Sequence, residues 1–372
     1  MPPATIAGFL WHYSRPFWPL LATSALLSTS VAIIEVSLFG FLGRLVDWLN
    51  QADRANFWTE HGTLLTWMGA LVLIVLPLLK LIYESLSHTA LLGNFAMRTR
   101  WHAHRYVLRQ SVEFFQNDFA GRVATKVMQT ALAVRDVVMT ALEVLLYVFA
   151  YFTGAVVLFA SSDLRLSFPL LAWLAAYLAA LYHFIPKLKL LSAAQADARS
   201  MVTGRIVDAY TNIATVKMFA HSDREDGYAK DGMTVFLDAV YAQMRMVTRL
   251  TIVLNTMNST LLFSVAALSI WLWHAGAVTT GAIALAVGLV MRLQGMAHWI
   301  LWEVSSVFEN IGVVQDGIET VAREREVSDR PGARPFLVTR GEIEYQKICF
   351  NYGKHRSEEG RGVIDGLSLT IK

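Results

Sequence analysis

VMTALEVLLYVFAYFTGAVVLFASSDLRLSFPLLAWLAAYLAALYHFIP, Val138 to Pro186, is two apolar runs joined by three polar residues, Ser161, Ser162 and Asp163. A bilayer core takes about 20 apolar residues of helix, so 138–160 and 164–186 are each long enough to cross it, with only a tight turn between them. Working outward, 17–43, 64–83, 250–274 and 278–301 meet the same requirement. The chain is predicted to cross a membrane six times. Its composition agrees, since 55% of residues are hydrophobic and 16% are charged, against about 25% charged in an ordinary soluble domain. The net charge of +3 is too small to argue for nucleic acid, and a single cysteine, Cys349, allows no internal disulfide. The opening MPPATIAGFLWHYSRPFWPLL has no small-residue cleavage site after an apolar run longer than a signal-peptide core. It reads as a short cytoplasmic segment, 1–16, leading into a retained first span.

Connections 48–63, 161–163 and 275–277 are short, whereas the connections after spans 2 and 4 each exceed fifty residues. Lys and Arg accumulate on cytoplasmic connections. The first long one carries Arg98, Arg100, Arg105, Arg109, Arg122, Lys126 and Arg135, and the second carries nine basic residues from Lys187 to Arg249, against Arg54 in the short connections. Both long connections and both termini are therefore expected inside, in the plasma (inner) membrane of a bacterium. Apolar residues at helical spacing, such as Val202, Ile206, Tyr210, Ile213 and Val216, predict that the connections continue the membrane helices as hairpins over about 96–136 and 187–249. At about 25 residues per arm, each hairpin would reach roughly 35 Å past the bilayer. FFQNDFAGR (Phe114 to Arg122) and VDAYTNIATVKMFAHSDRE (Val207 to Glu225) mark the two tips.

After span 6 the helical pattern runs through Phe308, Ile311, Val314 and Ile318 before the charged, Pro-containing REREVSDRPGARP (Arg323 to Pro335). That stretch reads as a linker over 323–340. GEIEYQKICFNYG (Gly341 to Gly353) alternates imperfectly, KHRSEEGRG is a polar turn, and VIDGLSLTIK (Val363 to Lys372) sets Leu367, Leu369 and Ile371 on one face. Two strands alone are marginal in water, so 341–372 reads as a piece of a domain. The expected fold is an all-α membrane protein of six transmembrane helices (17–322) with long cytoplasmic extensions, plus a short C-terminal β fragment.

These residues resemble ATP-binding cassette exporters of the half-transporter type, in which a six-helix membrane domain precedes a nucleotide-binding domain. The resemblance rests on Ile343, Ile348, Phe350 and Tyr352 followed by VIDGLSLTIK, on GRIVDAYTNIATVKMFAHSDRE (Gly204 to Glu225), and on FFQNDFAGRVATKV (Phe114 to Val127). It implies ATP with Mg as cofactors, Tyr352 stacking on adenine, which suits a flat base, and a dimer formed with itself or with another half-transporter. It also implies coupling helices at the hairpin tips that dock on nucleotide-binding domains. Phe114, Phe115, Asn117 and Asp118 hold those positions in the first tip, and Asp208, Tyr210, Thr211 and Asn212 in the second. The phosphate cradle G-x-x-x-x-G-K-[ST], which follows the strand ending at Lys372 in the family, does not occur in residues 1–372. This chain by itself is expected not to hydrolyse ATP.

Ionisable residues at membrane depth usually face a bundle interior or a wet cavity. Counting about 1.5 Å per residue, Glu35 lies about 27 Å along span 1 from Phe17, and Arg292 about 17 Å along span 6 from Gly281. Glu35, Arg292, Gln294 and His298 are the candidate lining of a translocation cavity; the competing reading pairs Arg292 with a carboxylate on another helix. Lys80, Glu84 and His88 fall near the inner end of span 2, where snorkelling or helix pairing suffices. Trp271, Trp273 and Trp299 read as interfacial or packing aromatics. Two other functions stay open on sequence grounds: a six-helix secondary transporter, which leaves the strand-rich tail unexplained, and a fragment or non-catalytic partner subunit.

Overall fold

The computed structural model describes residues 1–51, 56–116, 120–219, 222–325, 327, 332–334, 341–350 and 363–372. Six helices are long and apolar enough to cross a membrane: α1 (Ile6–Gln51), α2 (Phe57–Val107), α3 (Gly121–Ser162), α4 (Leu164–Thr211), α5 (Asp223–His274) and α6 (Thr280–Val321). Each runs well past its apolar stretch. Asp163 makes the tightest of the turns, in extended backbone (φ −161°, ψ 131°), and its Oδ1 accepts the Arg165 N–H at 2.8 Å as an N-cap for α4. Thr279 caps α6 in the same way, accepting from the Ala282 N–H. In α2 a wider π-helical turn, Leu71–Val75, comes just before Pro77, whose ring lacks an N–H and crowds the carbonyl four residues back.

Met1–Glu324 forms one compact unit and Arg325–Lys372 a second. In the first, one core gathers Ala32 and Val36 of α1, Tyr151 and Phe159 of α3, Leu170 and Trp173 of α4, Leu254 of α5 and Leu289 of α6. Two buried polar groups inside it are paired: the Trp173 indole N–H donates to Asn258 Oδ1 (3.1 Å) and the Tyr177 hydroxyl to the Ala297 carbonyl (2.8 Å). A second core lies nearer the hairpin tips and joins Phe9, Tyr13 and Phe17 of α1 to Phe95 of α2, Val127 and Val134 of α3 and Val314 of α6. Alpha-helix α4 runs antiparallel to α5, tied by Gln243 Nε2–H to Ser192 Oγ (2.7 Å) and by Arg205, whose guanidinium donates to the Tyr228 carbonyl (2.6 Å) and lies 4.0 Å above the Tyr228 ring.

At the opposite end from the hairpin tips, α1 and α6 touch backbone to backbone. A Cβ on Gly281 would run into the Gly43 carbonyl and the Asp47 carboxylate. Asp47 accepts the Gly281 N–H and the Thr279 hydroxyl, each at 2.8 Å, which places its charge against the positive end of α6.

In the second unit, β1 (Ile343–Phe350) pairs antiparallel with β2 (Ile364–Ile371). The register breaks between Tyr345 and Ile348 and again before Phe350; Lys347 there has φ +47° and its N–H meets Ser368 Oγ at 3.0 Å. This bulge accounts for the imperfect alternation of the sequence, because one extra residue moves Tyr345 and Ile348, three apart, to the same half-buried face.

Candidate functional site

Four helices converge on a cavity of about 280 Å³ walled by Ser28, Val31 and Glu35 from α1, Lys80, Tyr83 and Glu84 from α2, Glu143, Val144 and Tyr147 from α3, and Arg292 and Trp299 from α6. Two carboxylates organise it. Glu35 accepts from Lys80 Nζ at 2.6 Å, from the Tyr147 hydroxyl at 2.7 Å and from Arg292 Nη2 at 3.1 Å. Its side chain is 13% exposed, whereas those of Lys80 and Arg292 are each 48% exposed. The cluster thus carries one surplus positive charge, half open to the cavity. Trp299 packs edge-on to Tyr147, adding an aromatic wall.

The second carboxylate, Glu143, is buried at 4% exposure. Its Oε1 accepts from Ser24 Oγ at 2.5 Å, and its Oε2 from the Tyr83 and Ser87 hydroxyls, each at 3.0 Å. Ser28 donates to the Glu143 backbone carbonyl at 2.8 Å. Two π-helical turns, Ser85–Leu92 and Thr140–Leu145, carry Ser87 and Glu143, the kind of irregularity that often re-aims side chains at functional sites.

Glu35 and Arg292 therefore meet, and Lys80 meets them at the same level of the bundle. Gln294 is engaged elsewhere, donating to the Asn258 carbonyl of α5; the His298 side chain, like all of Tyr352, lies outside the described residues. Glu143 is the residue the sequence hides, since it falls only five residues into the predicted third span and so looks interfacial. Its signal was nonetheless present, as a carboxylate within an apolar run.

At the first tip, a short helix Val112–Gln116 turns the chain. Phe114 is buried against its own domain, with the Arg323 guanidinium 5.8 Å from its ring centre, while Phe115 and Val112 are exposed. The tip is held to the end of α6 by the Tyr106 hydroxyl and Gln110 Nε2, which both donate to the Arg323 carbonyl. Asn117 and Asp118 lie outside the described residues. At the second tip, Asp208, Tyr210 and Thr211 form the last turn of α4, where Asp208 O accepts the Asn212 N–H and side-chain amide, each at 3.0 Å. A separate short helix, Ile213–Met218, follows, and exposes Ile213 and Met218 with Phe219 just beyond.

Among the described residues, no group of three or more His, Cys, Asp or Glu could hold a metal ion.

Six long helices, hairpins reaching far past the apolar stretches and a charged central cavity define a membrane-embedded transport domain. The family model for the ABC transporter transmembrane region matches residues 21–295, and the chain belongs to that family. It is 41% identical over 364 residues to an uncharacterized ABC transporter ATP-binding protein of Haemophilus influenzae, covering 98% of this chain and 58% of that protein. It is 21% identical to the putative multidrug export ATP-binding/permease protein YgaD of Bacillus subtilis, covering 97% of this chain and 62% of that protein. Among solved structures, a bacterial Atm1-family ABC exporter with ATP bound shares the fold, with a TM-score of 0.70 at 16% identity over 96% of this chain and 61% of that one. The chain spans about three fifths of the length of these relatives. It is an integral, multi-pass membrane protein of the ABC transporter class.

Proposed function

We propose that the chain is the membrane-spanning half of an ATP-driven exporter. It works as a dimer, with itself or another half-transporter, in the plasma (inner) membrane of a bacterium, with its hairpins and both termini in the cytoplasm. The observation that carries this reading is the pair of short helices at the hairpin tips. Phe115 and Val112 on one, and Ile213 and Met218 on the other, with Tyr210 in the last turn of α4 beside it, are exposed apolar residues well beyond the predicted spans. Apolar side chains at the end of a long arm are unfavourable in water unless a partner surface covers them. We assign that partner as nucleotide-binding domains, with ATP and Mg bound there. Closure of two such domains would move the tips, and the continuous helices α4 and α5 would carry the motion to the cavity as a rigid-body change.

A polar stripe on α5, Asn255, Thr256, Ser259 and Thr260, lines an open groove of about 460 Å³. Hydroxyls and amides facing lipid are unfavourable, so the stripe favours a second subunit or the transport pathway on that side. Glu35 and Arg292 would line the pathway. Gln294 and His298 are assigned to its lower wall.

The test uses the full-length transporter in lipid, spin-labelled at the short-loop ends of α3 and α5. ATP with vanadate should change the label separation in the parent, and Phe115→Asp combined with Met218→Asp should abolish that change while ATP binding persists. An unaltered separation change in the double variant would overturn the coupling role. Loss of substrate-stimulated ATP hydrolysis in Arg292→Ala is expected from the cavity assignment; unchanged stimulation and transport would refute it.

A further inference from the structure

Glu35 and Glu143 stand one helical turn apart along two helices, since Lys80 and Tyr147 serve the first while Tyr83 and Glu143 itself belong to the second. Their surroundings differ in one chemical respect. Lys80 and Arg292 can only donate hydrogen bonds, so they hold Glu35 as a carboxylate. Glu143 is received by the hydroxyls of Ser24, Tyr83 and Ser87, and among the described residues it makes no ion pair. A hydroxyl both donates and accepts. When Glu143 is ionised, three O–H groups point at it; when it is protonated, one hydroxyl turns and accepts the carboxyl O–H, with the backbone unchanged. The cage therefore satisfies both forms, a property that a structural carboxylate locked by arginine does not have.

We propose that Glu143 is a proton-exchange site. Hydronium in the cavity gives its proton to a Glu143 carboxylate oxygen: one O–H bond forms on the carboxyl, one breaks in hydronium, and water is left behind. The reverse step returns the proton to water. The charge of the cavity then changes by one between the two forms. The groups that face this exchange are Ser24, Ser28 and Glu35 on α1, Lys80, Tyr83, Glu84, Ser87 and His88 on α2, Tyr147 on α3 and Arg292 on α6. His88 is paired with Glu84 at 3.3 Å, and Lys80 and Arg292 with Glu35; among the described residues of this wall Glu143 is a carboxylate held by hydroxyls without an ion pair. The inference rests on the cavity reading only for the water that reaches the carboxyl; it does not depend on the hairpin tips.

The chain in a lipid bilayer would be titrated between about pH 4 and pH 9, the span that brackets carboxyl and histidine ionisation, with the carbonyl stretch of protonated carboxyl groups followed by infrared difference spectroscopy. A component that grows as pH falls should be missing from Glu143→Gln and retained in Glu35→Gln. Ser24→Ala combined with Ser87→Ala keeps the carboxyl but removes two cage hydroxyls, and should move the midpoint of that component by at least about one pH unit, tenfold in proton affinity. Identical titrations in the parent and Glu143→Gln, or a midpoint that the serine variants leave in place, would overturn the proposal. Failure of the cavity assignment reads separately, as unchanged transport in Arg292→Ala with the infrared component intact.

Discussion

Alanine at Gly281 should loosen the bundle, although alanine is the better helix former. The backbones of α1 and α6 are so close there that a Cβ on Gly43 would lie 2.9 Å from the Gly281 carbonyl oxygen and 3.2 Å from Leu285 Cβ, and a Cβ on Gly281 meets backbone and a carboxylate in return. Backbone cannot swing aside as a flexible side chain can, so the helices must separate. Overpacking of this kind costs about 1–3 kcal/mol. Separation also stretches the Asp47 contacts that close the first turn of α6, worth about 1 kcal/mol as a cap. The intrinsic gain of alanine over glycine returns about 1 kcal/mol. The net expectation is a loss of about 1–3 kcal/mol. Gly295, in the same helix, provides the control, because a Cβ there meets nothing within 4 Å. Gly295→Ala should gain about 0.5–1 kcal/mol. Unfolding of both variants in one detergent should thus give shifts of opposite sign. Equal shifts would show that α1 and α6 do not cross at this separation.

Two further predictions concern polar contacts elsewhere. Trp173→Phe removes the donor to the buried Asn258 side chain and should cost about 1–3 kcal/mol; adding Asn258→Leu should recover part of that, and a purely additive double variant would contradict the pairing. Lys126 and Asp316 form a 2.6 Å ion pair with the Asp316 side chain 56% exposed, so a double-mutant cycle should return less than about 1 kcal/mol, shrinking further as salt is raised; a large, salt-insensitive coupling would be inconsistent with this exposure.

The spans were legible because each is a long run of mostly apolar residues with at most a few charges, a signal that needs no knowledge of neighbours. Rotation of one helix about its axis relative to the next is not written locally. Hence counting residues from span ends set Glu35, Arg292 and Lys80 at different depths, while packing brings them to one carboxylate. Sequence reading allowed Arg292 a carboxylate partner on another helix, and Glu35 is that partner. The second tip, Val207 to Glu225, contains the last turn of α4 through Thr211 and the short helix that begins after Asn212, a division that the unbroken apolar spacing does not show. In the tail, alternation read as two strands, and its faults mark the bulge at Lys347.

The ties of α1 have a consequence for the order in which the molecule is completed. Ser24 waits for Glu143, 119 residues later, Asp47 for Gly281, 234 residues later, and Glu35 for Arg292, 257 residues later. The fastenings between α4 and α5, by contrast, join residues 23 and 51 apart, and short loops close at lower entropic cost. During synthesis the α4–α5 hairpin can therefore close on itself as it emerges, whereas α1, joined early to Lys80 only 45 residues later, keeps its ties to α6 open until that helix arrives. Ribosome-bound chains that stop before Gly281 should hold α1 accessible to proteases and detergents, and its protection should report the moment at which the membrane domain is finished.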